Sequence, residues 1–198
     1  MKMRLYTLSF LVLLACTVLP AQPNYAPDLQ KETLGRGVVA IRQDSAHVAV
    51  TWRLLRTDDK STAFNVYRNH RLLNRKPLTG ATFFVDDNIS TDSATYEVRP
   101  VIKKKESNEG SGTYILPANA PIGYIDIPLS KPEGGITPAG DRYDYTANDA
   151  SVGDVDGDGE YEIILKWDPT NAHDNAHDGY TGNALFDCYR LNGERLWR

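Results

Sequence analysis

A short stretch of the chain places an acidic residue at every second position, with glycine at two of the positions between. The acidic residues are Asp154, Asp156, Asp158, Glu160 and Glu162. Alternate residues of a tight loop can turn toward one point, and glycine permits the sharp backbone turns that such a loop needs. Carboxylate and carbonyl oxygens at this density are the ligands that Ca²⁺ prefers. We therefore predict a calcium site in which Glu160 contributes its backbone carbonyl and the other four residues contribute carboxylates.

The residues that follow this loop exclude an EF-hand. That motif needs a bidentate Glu at the twelfth loop position, which is Leu165 here. Residues 161–167 form a short, nearly continuous apolar run rich in β-forming residues, which predicts a buried strand. A calcium loop that leads into a strand indicates a β architecture. The alternative interpretation is a solvated acidic turn without a metal.

Charge is unevenly distributed along the chain. The formal net charge is only −4, but residues 141–178 contain eleven acidic residues against two basic ones, Arg142 and Lys166. Such a region argues against nucleic acid as a partner and for bound cations.

The first 21 residues have the pattern of a secretory signal peptide. Lys2 and Arg4 precede an uncharged, mostly apolar stretch at residues 5–15, and cleavage after Ala21 would fit. Residues 13–16 (LLAC) also resemble a bacterial lipobox, which would make Cys16 a lipid-modified N-terminus. We expect a secreted, periplasmic or cell-surface protein. With the leader removed, Cys188 is the remaining cysteine, so an internal disulfide is excluded, and we expect a small buried side chain there.

Residues 35–116 show seven short β-forming segments separated by polar turns. They lie at residues 38–42, 47–55, 63–68, 71–73, 82–86, 95–101 and 113–116. This spacing predicts a fibronectin type III-like β-sandwich. Val48, Val50, Trp52 and Leu54 would share one face of the second segment, with Trp52 buried, and the hydroxyl of Tyr96 could fold back on a corner of the sandwich.

A connector and a second β region follow. Residues 117–147 contain five prolines, and the alternating apolar residues at 122–129 could add an edge strand that closes a ring of blades. Residues 148–198 read as strand, long loop, strand, tight turn at Asn192-Gly193, and strand. That pattern is most of one propeller blade.

Several short motifs give the chain a family resemblance. They are residues 35–37 (GRG), 50–53 (VTWR), 64–68 (FNVYR), 148–171 and 178–182 (DGYTG). Through them residues 35–198 resemble the beginning of the polysaccharide lyase family 11 rhamnogalacturonan lyases. The resemblance implies an all-β protein with a small β-sandwich followed by an eight-bladed β-propeller that binds several Ca²⁺ ions.

The same resemblance implies an activity. Members of this family cleave the rhamnose–galacturonate backbone of pectin by β-elimination: Ca²⁺ and polar side chains hold the galacturonate carboxylate, and a base removes the C5 proton. Asn148 and Asp168 match positions that line the sugar groove, so we predict that they contact the pectic polysaccharide. Their alternative roles are a turn residue and a strand-end cap.

The chain departs from the family in its length. It stops at Arg198, inside the first blade, so the base and the later calcium loops would lie elsewhere. We therefore expect a monomeric N-terminal fragment that is inactive alone. The alternative is a secreted, non-catalytic protein that binds glycans or proteins through Ca²⁺.

Overall fold

The structure is a computed structural model that describes residues 33–87 and 89–198. Within these ranges the chain forms strands, turns and bends and no helix, so the all-β prediction is confirmed. No helix there could cross a membrane. The predicted signal peptide and the lipobox cysteine Cys16 lie outside the described residues.

The described residues form fifteen strands, and most of them are short. Their bounds are β1 Val39–Arg42, β2 His47–Thr51, β3 Ala63–Arg68, β4 Arg71–Leu72, β5 Leu78–Thr79, β6 Phe83–Asp87, β7 Ala94–Ile102, β8 Lys105–Glu106, β9 Gly112–Leu116, β10 Gly135–Ile136, β11 Arg142–Tyr143, β12 Tyr145–Gly153, β13 Glu162–Pro169, β14 Leu185–Tyr189 and β15 Arg195–Trp197.

The first nine strands form two antiparallel sheets over a common core, and we call this two-sheet part the sandwich. One sheet has the order β1-β2-β6, and the other has the order β4-β3-β7-β8, with β5 also paired to β3 and β9 to β7. The core takes alternate residues from both sheets, because successive side chains of a strand point to opposite faces. Its buried members are Val38, Ala40, Val48, Val50, Trp52, Phe64, Val66, Tyr96, Val98 and Leu116.

The buried face of β2 ends earlier than its alternation indicates. Val48, Val50 and Trp52 are buried, Trp52 as predicted, and the Trp52 ring packs edge-on against Phe64 at 5.5 Å between centroids. Leu54 is 62% exposed, so the face that it is predicted to share with these residues leaves the core after Trp52. The strand stops at Thr51 and the chain leaves the sheet, so the period of two no longer decides which side chains are buried.

Tyr96 is buried as expected, but its hydroxyl has a different partner. It donates a 2.7 Å hydrogen bond to the carboxylate of Asp86 on β6, which also pairs with Arg68 at 2.6 Å. The predicted corner, in which this hydroxyl folds back on the chain, is therefore corrected to a side-chain network that joins the two sheets. Burial and the Asp86 carboxylate raise the pKa of Tyr96.

The connector at residues 117–144 contains little regular structure. β10 and β11 form a two-stranded hairpin, and the predicted edge strand at residues 122–129 is reduced to a single parallel bridge between Ile122 and Arg42. Ile127 instead packs against a second core, formed by Tyr145, Leu165, Trp167 and Tyr189.

The last four strands form one antiparallel sheet in the order β12-β13-β14-β15. The sheet begins at Tyr145 on β12, slightly before the predicted start at residue 148. Ile163 pairs with Tyr189 and Trp167 with Leu185, so β14 returns along most of β13. Gly193, at φ 88°, lies in the turn between β14 and β15, where a tight turn is predicted. Cys188 is fully buried, as expected.

Candidate metal centre and polar pair

The acidic loop is the connection between β12 and β13. Gly153 at the end of β12 pairs with Glu162 at the start of β13, so the chain must reverse within the residues between them. Gly157 and Gly159 have φ angles of 79° and 91°, a region that residues with a side chain rarely adopt. The loop therefore depends on both glycines.

Three of the predicted ligands are brought together at this loop. Carboxylate oxygens of Asp154, Asp156 and Glu162 all lie within 4.8 Å of one another. The Asp154 carboxylate accepts hydrogen bonds from the N–H groups of Gly157 (2.8 Å) and Gly159 (3.1 Å). The backbone is thus wrapped around the acidic side chains.

Glu162 is the buried member of this group. Its side chain is 1% exposed, and its Oε2 accepts a 3.0 Å hydrogen bond from the N–H of Val155. In the part of the chain that the structure describes, no lysine, arginine or histidine forms an ion pair with it. A buried carboxylate without a cationic partner is costly, so the donor set fits a bound cation.

The other two predicted ligands turn their side chains elsewhere. Asp158 pairs with Arg190 at 2.8 Å, and the same guanidinium contacts Asp156. The N–H of Glu160 and the Arg190 guanidinium hold the pKa of Asp158 below its usual value. The carboxylate of Glu160 faces the sandwich, 3.7 Å from Arg53. This orientation leaves its backbone carbonyl as the predicted contribution.

Asn148 and Asp168 are also brought together. Asn148 lies in a β-bulge of β12, between the paired residues Ala147 and Ala150, and its side-chain amide donates a hydrogen bond to Asp168 Oδ2. The Lys166 ammonium lies 2.9 Å from the other carboxylate oxygen. Hydrogen bonds from Lys166 and then Asn148 lower the pKa of Asp168, which is therefore ionised at neutral pH. We call Asn148 and Asp168 the polar pair, and Lys166 its lysine.

Sequence reasoning did not single out Lys166. Residues two apart on a strand lie on the same face, so the spacing to Asp168 was the available signal. Lys166 and Asp168 alternate with the buried Leu165 and Trp167 and therefore lie on the opposite face of β13.

The acidic loop and the polar pair occupy opposite ends of β13. Glu162 and Asp168 are six residues apart on one strand, which separates them by about 20 Å. A cation held by Glu162 therefore cannot touch a ligand carboxylate bound beside Asp168.

Both parts of the chain match models of known protein families. Residues 29–115 match the model of the rhamnogalacturonan I lyase beta-sheet domain, and residues 124–198 match the model of the rhamnogalacturonan lyase family 11 C-terminal domain.

Two relatives come from Bacillus subtilis. The rhamnogalacturonan exolyase YesX is 49% identical over 169 residues, which are 85% of this chain and 27% of the relative. The rhamnogalacturonan endolyase YesW is 47% identical over 194 residues, 97% of this chain and 30% of the relative.

Solved structures of rhamnogalacturonan lyases are also similar to this chain. The crystal structure of YesW aligns with a TM-score of 0.75 and 49% identity, covering 85% of this chain and 28% of that one. The Bacillus licheniformis rhamnogalacturonan lyase PL11 aligns with a TM-score of 0.73 and 48% identity, covering 85% of this chain and 28% of its own.

Both parts of this all-β chain thus match consecutive domains of one class of polysaccharide-degrading proteins. The chain belongs to rhamnogalacturonan lyase family 11, as its motifs predict. It spans less than a third of the length of the relatives named above.

Proposed function

We propose that the protein is a rhamnogalacturonan lyase, which cleaves the rhamnose–galacturonate backbone of pectic rhamnogalacturonan I by β-elimination. The observation that carries this proposal is the identity of 47–49% to an exolyase and an endolyase along nearly the whole described chain. Those two relatives differ in their mode of attack and are nearly equally similar, so the proposal concerns the reaction that they share. A polymeric substrate outside the cell also fits the predicted leader.

We propose the finer architecture on the same basis. The two sheets with a common core would be a fibronectin type III-like sandwich at residues 35–116, and residues 117–147 would be a linker. The antiparallel sheet β12-β13-β14-β15 would be the first blade of an eight-bladed propeller, with its first strand beginning at Tyr145, shortly before the boundary predicted at residue 148. Sequential antiparallel pairing of four strands is the arrangement that such a blade requires.

Ca²⁺ is the cation proposed for the acidic loop. Asp154, Asp156 and Glu162, whose carboxylates are already clustered, would bind the ion directly, Asp158 would bind it in place of its ion pair with Arg190, and Glu160 would contribute its carbonyl. The clustered oxygens and the buried Glu162 support this assignment, since Ca²⁺ takes oxygen ligands in flexible geometry. The distance of about 20 Å along β13 to Asp168 gives this ion a structural role: it neutralises the loop and fixes the β12–β13 connection.

Calcium titration of a Glu162→Gln variant tests this role. We expect isothermal titration calorimetry to show at least about tenfold weaker Ca²⁺ binding, because the variant loses a buried charged ligand while keeping the side-chain size. Glu109→Gln, an exposed change in the sandwich, is the control. Unchanged Ca²⁺ affinity of Glu162→Gln would remove the loop from the proposed site.

Asn148 and Asp168 are proposed to bind the sugar backbone. The ionised Asp168 can accept hydrogen bonds from sugar hydroxyl groups, and the Asn148 amide can donate or accept. Lys166 positions the Asp168 carboxylate through its 2.9 Å contact and offsets its charge toward an anionic polymer. In this proposal the pair orients the substrate, and no described residue is assigned the role of the base.

The activity test uses the protein at its native length. Asn148→Ala and Asp168→Asn should each lower kcat/KM on rhamnogalacturonan I at least about tenfold, measured by the ultraviolet absorbance of the unsaturated product. Asp92→Asn, on an exposed turn of the sandwich, is the control. Full activity of both variants would exclude a role of the pair in substrate binding.

The same assay separates the proposal from the alternative of a non-catalytic binding module. Ca²⁺-dependent binding of the polysaccharide by the native-length protein without any unsaturated product would favour the binding module.

A further inference from the structure

The acidic loop contacts the sandwich through residues 159–161, which lie between the proposed ligands Asp158 and Glu162. The carbonyl of Gly159 accepts a 2.6 Å hydrogen bond from the N–H of Gly35 and a 3.2 Å hydrogen bond from the Arg53 guanidinium. Arg53 Nη2 lies 3.7 Å from the Glu160 carboxylate, and its guanidinium lies 4.6 Å from the centre of the Tyr161 ring. One arginine of the sandwich thus contacts residues 159, 160 and 161 in turn.

The peptide of Gly159 connects these contacts to the metal ligands. Its N–H donates a 3.1 Å hydrogen bond to Asp154 Oδ2, while its own carbonyl is held by Arg53 and Gly35. Gly159 is buried, with φ at 91°, and a Cβ atom on it would lie 2.9 Å from the nitrogen of Gly35. A shift of this peptide would therefore disturb one of the hydrogen bonds that orient the Asp154 carboxylate.

The sandwich side of this contact is fixed in place. Arg36, between Gly35 and Gly37, is 1% exposed and forms two hydrogen bonds to Asp58, of 2.5 and 3.0 Å. The N–H of Arg53 donates a 2.7 Å hydrogen bond to the carbonyl of Arg36. The N–H of Gly37 then reaches the Glu160 carboxylate at 3.3 Å.

We propose that Arg53 is a positioning residue for the cation site: it holds the loop between Asp158 and Glu162 in its binding shape. This inference rests on the proposed binding of Ca²⁺ to the acidic loop. It adds that the affinity for the ion is set in part by a sandwich residue that is not a ligand.

Positioning and simple electrostatics predict changes of opposite sign. Arg53 carries a positive charge near an acidic site, so through Coulomb repulsion alone its removal would strengthen cation binding. If Arg53 holds the loop in shape, its removal leaves the loop to be ordered by the ion itself, and binding weakens. The sign of the change therefore decides between the two roles.

The experiment titrates Ca²⁺ into the full chain and its Arg53→Met variant by isothermal titration calorimetry. We expect about tenfold weaker binding, because the charge-assisted hydrogen bond to the Gly159 carbonyl and the ion pair with the Glu160 carboxylate are lost. Arg99→Met is the matched control: this guanidinium lies 4.6 Å over Tyr67 and has 26% side-chain exposure against 27% for Arg53, but it pairs with Glu97 and Glu106 within the sandwich. The Arg99→Met variant should bind Ca²⁺ with the same affinity as the unmodified chain.

Gly35→Ala tests the same contact without changing any charge. Its Cβ would lie 2.7 Å from Glu160 Oε1 and 3.3 Å from the carbonyl of Gly159, so it pushes the loop away from the sandwich. We expect weaker Ca²⁺ binding here as well. This variant supplies the test if Arg53→Met does not fold.

Thermal unfolding with and without Ca²⁺ separates positioning from general stabilisation. A merely structural Arg53 would lower Tm equally in both conditions, whereas a positioning residue also reduces the rise in Tm that Ca²⁺ produces. Ca²⁺ affinity equal to or tighter than that of the unmodified chain in both variants would overturn the role of Arg53 and leave the calcium site standing. Absence of Ca²⁺ binding by the unmodified chain would overturn both.

Discussion

At the scale of single residues, Arg190 has a relation to the acidic loop opposite to that of Arg53. Its guanidinium contacts the carboxylates of Asp156 and Asp158 themselves, so it occupies oxygens that the proposed ion would use. The contact arises because β14 runs back along β13, with Tyr189 paired to Ile163, which brings residue 190 beside residue 162. Because Arg190 is about 30 residues from the loop in the sequence, residue spacing did not indicate this contact.

Replacement of Arg190 should strengthen cation binding. We expect Arg190→Met to bind Ca²⁺ about fivefold more tightly, since about 1 kcal/mol of repulsion is removed. Without Ca²⁺ the variant should be less stable, because the Arg190 guanidinium then no longer offsets the repulsion among the acidic residues. Calorimetric titration and thermal unfolding in a chelator measure both effects. Arg71→Met, on an exposed strand of the sandwich, is the control, and weaker binding by Arg190→Met would contradict competition.

At the scale of elements, the turn between β14 and β15 depends on a single glycine. Gly193 has φ at 88°, and its N–H donates a 3.0 Å hydrogen bond to the carbonyl of Arg190. A Cβ atom there would lie 2.8 Å from the ring of Pro128 in the connector. The turn therefore also determines how closely the connector packs on this sheet.

Gly193→Ala should destabilise the protein through both effects. Gly123→Ala provides the matched control, because Gly123 has φ at 87° and a Cβ atom added to it would meet no atom within 4 Å. We expect about 1 kcal/mol of destabilisation from backbone strain at Gly123 and about 2–3 kcal/mol at Gly193, measured by chemical denaturation. Equal losses in the two variants would mean that the Pro128 contact contributes nothing.

The strands of the sandwich were largely predictable from the sequence. Alternation such as that of Val48, Val50 and Trp52 reports a buried face directly, because each strand turns alternate side chains toward the core. The acidic loop was predictable for a similar reason, since its spacing and its glycines are local. The ends of the strands were harder to predict from the sequence. Leu54 continues the alternating pattern although the strand has already ended at Thr51.

Contacts between distant segments could not be read from the sequence. Arg53 donates a hydrogen bond to Gly159, which is 106 residues away in the sequence. The hydroxyl of Tyr96 donates its hydrogen bond to Asp86, which lies in the other sheet. The bulge that places Asn148 beside Asp168 is likewise a property of the pairing between two strands. Such contacts depend on how sheets pack and pair, which residue spacing alone does not determine.

At the scale of the whole molecule, a buried charge cluster anchors the last sheet. Asp187 is fully buried and accepts hydrogen bonds from Trp167 (2.8 Å), Tyr189 (2.7 Å) and Arg198 (2.7 Å). Burial alone would raise the pKa of Asp187, but these hydrogen bonds, led by that of Arg198, outweigh it and lower the pKa to about 2.

The cluster around Asp187 should contribute to the pH dependence of the unfolding free energy in acid. The folded-state pKa of Asp187 lies below its unfolded value, so its stabilisation is present above about pH 4 and is lost as the pH falls toward 2. We expect Asp187→Asn to lose about 2 kcal/mol near neutral pH and to show a weaker dependence of unfolding free energy on pH below 4. Denaturant unfolding at several pH values measures this, with the exposed Asp126→Asn as the control. An unchanged pH dependence would contradict the assignment.

The bulge in β12 has a consequence for how the family can diversify. Between Ala147 and Ala150 the strand carries one residue more than its partner, and because this bulge contains Asn148, the extra residue lies at the polar pair and not at the acidic loop. Loss of a residue there would rephase the side chains at one end of the strand while the other end keeps its pairing. A change of length at this point would therefore alter the polar pair and leave the acidic loop unchanged, so it would separate the proposed sugar contacts from the proposed ion site.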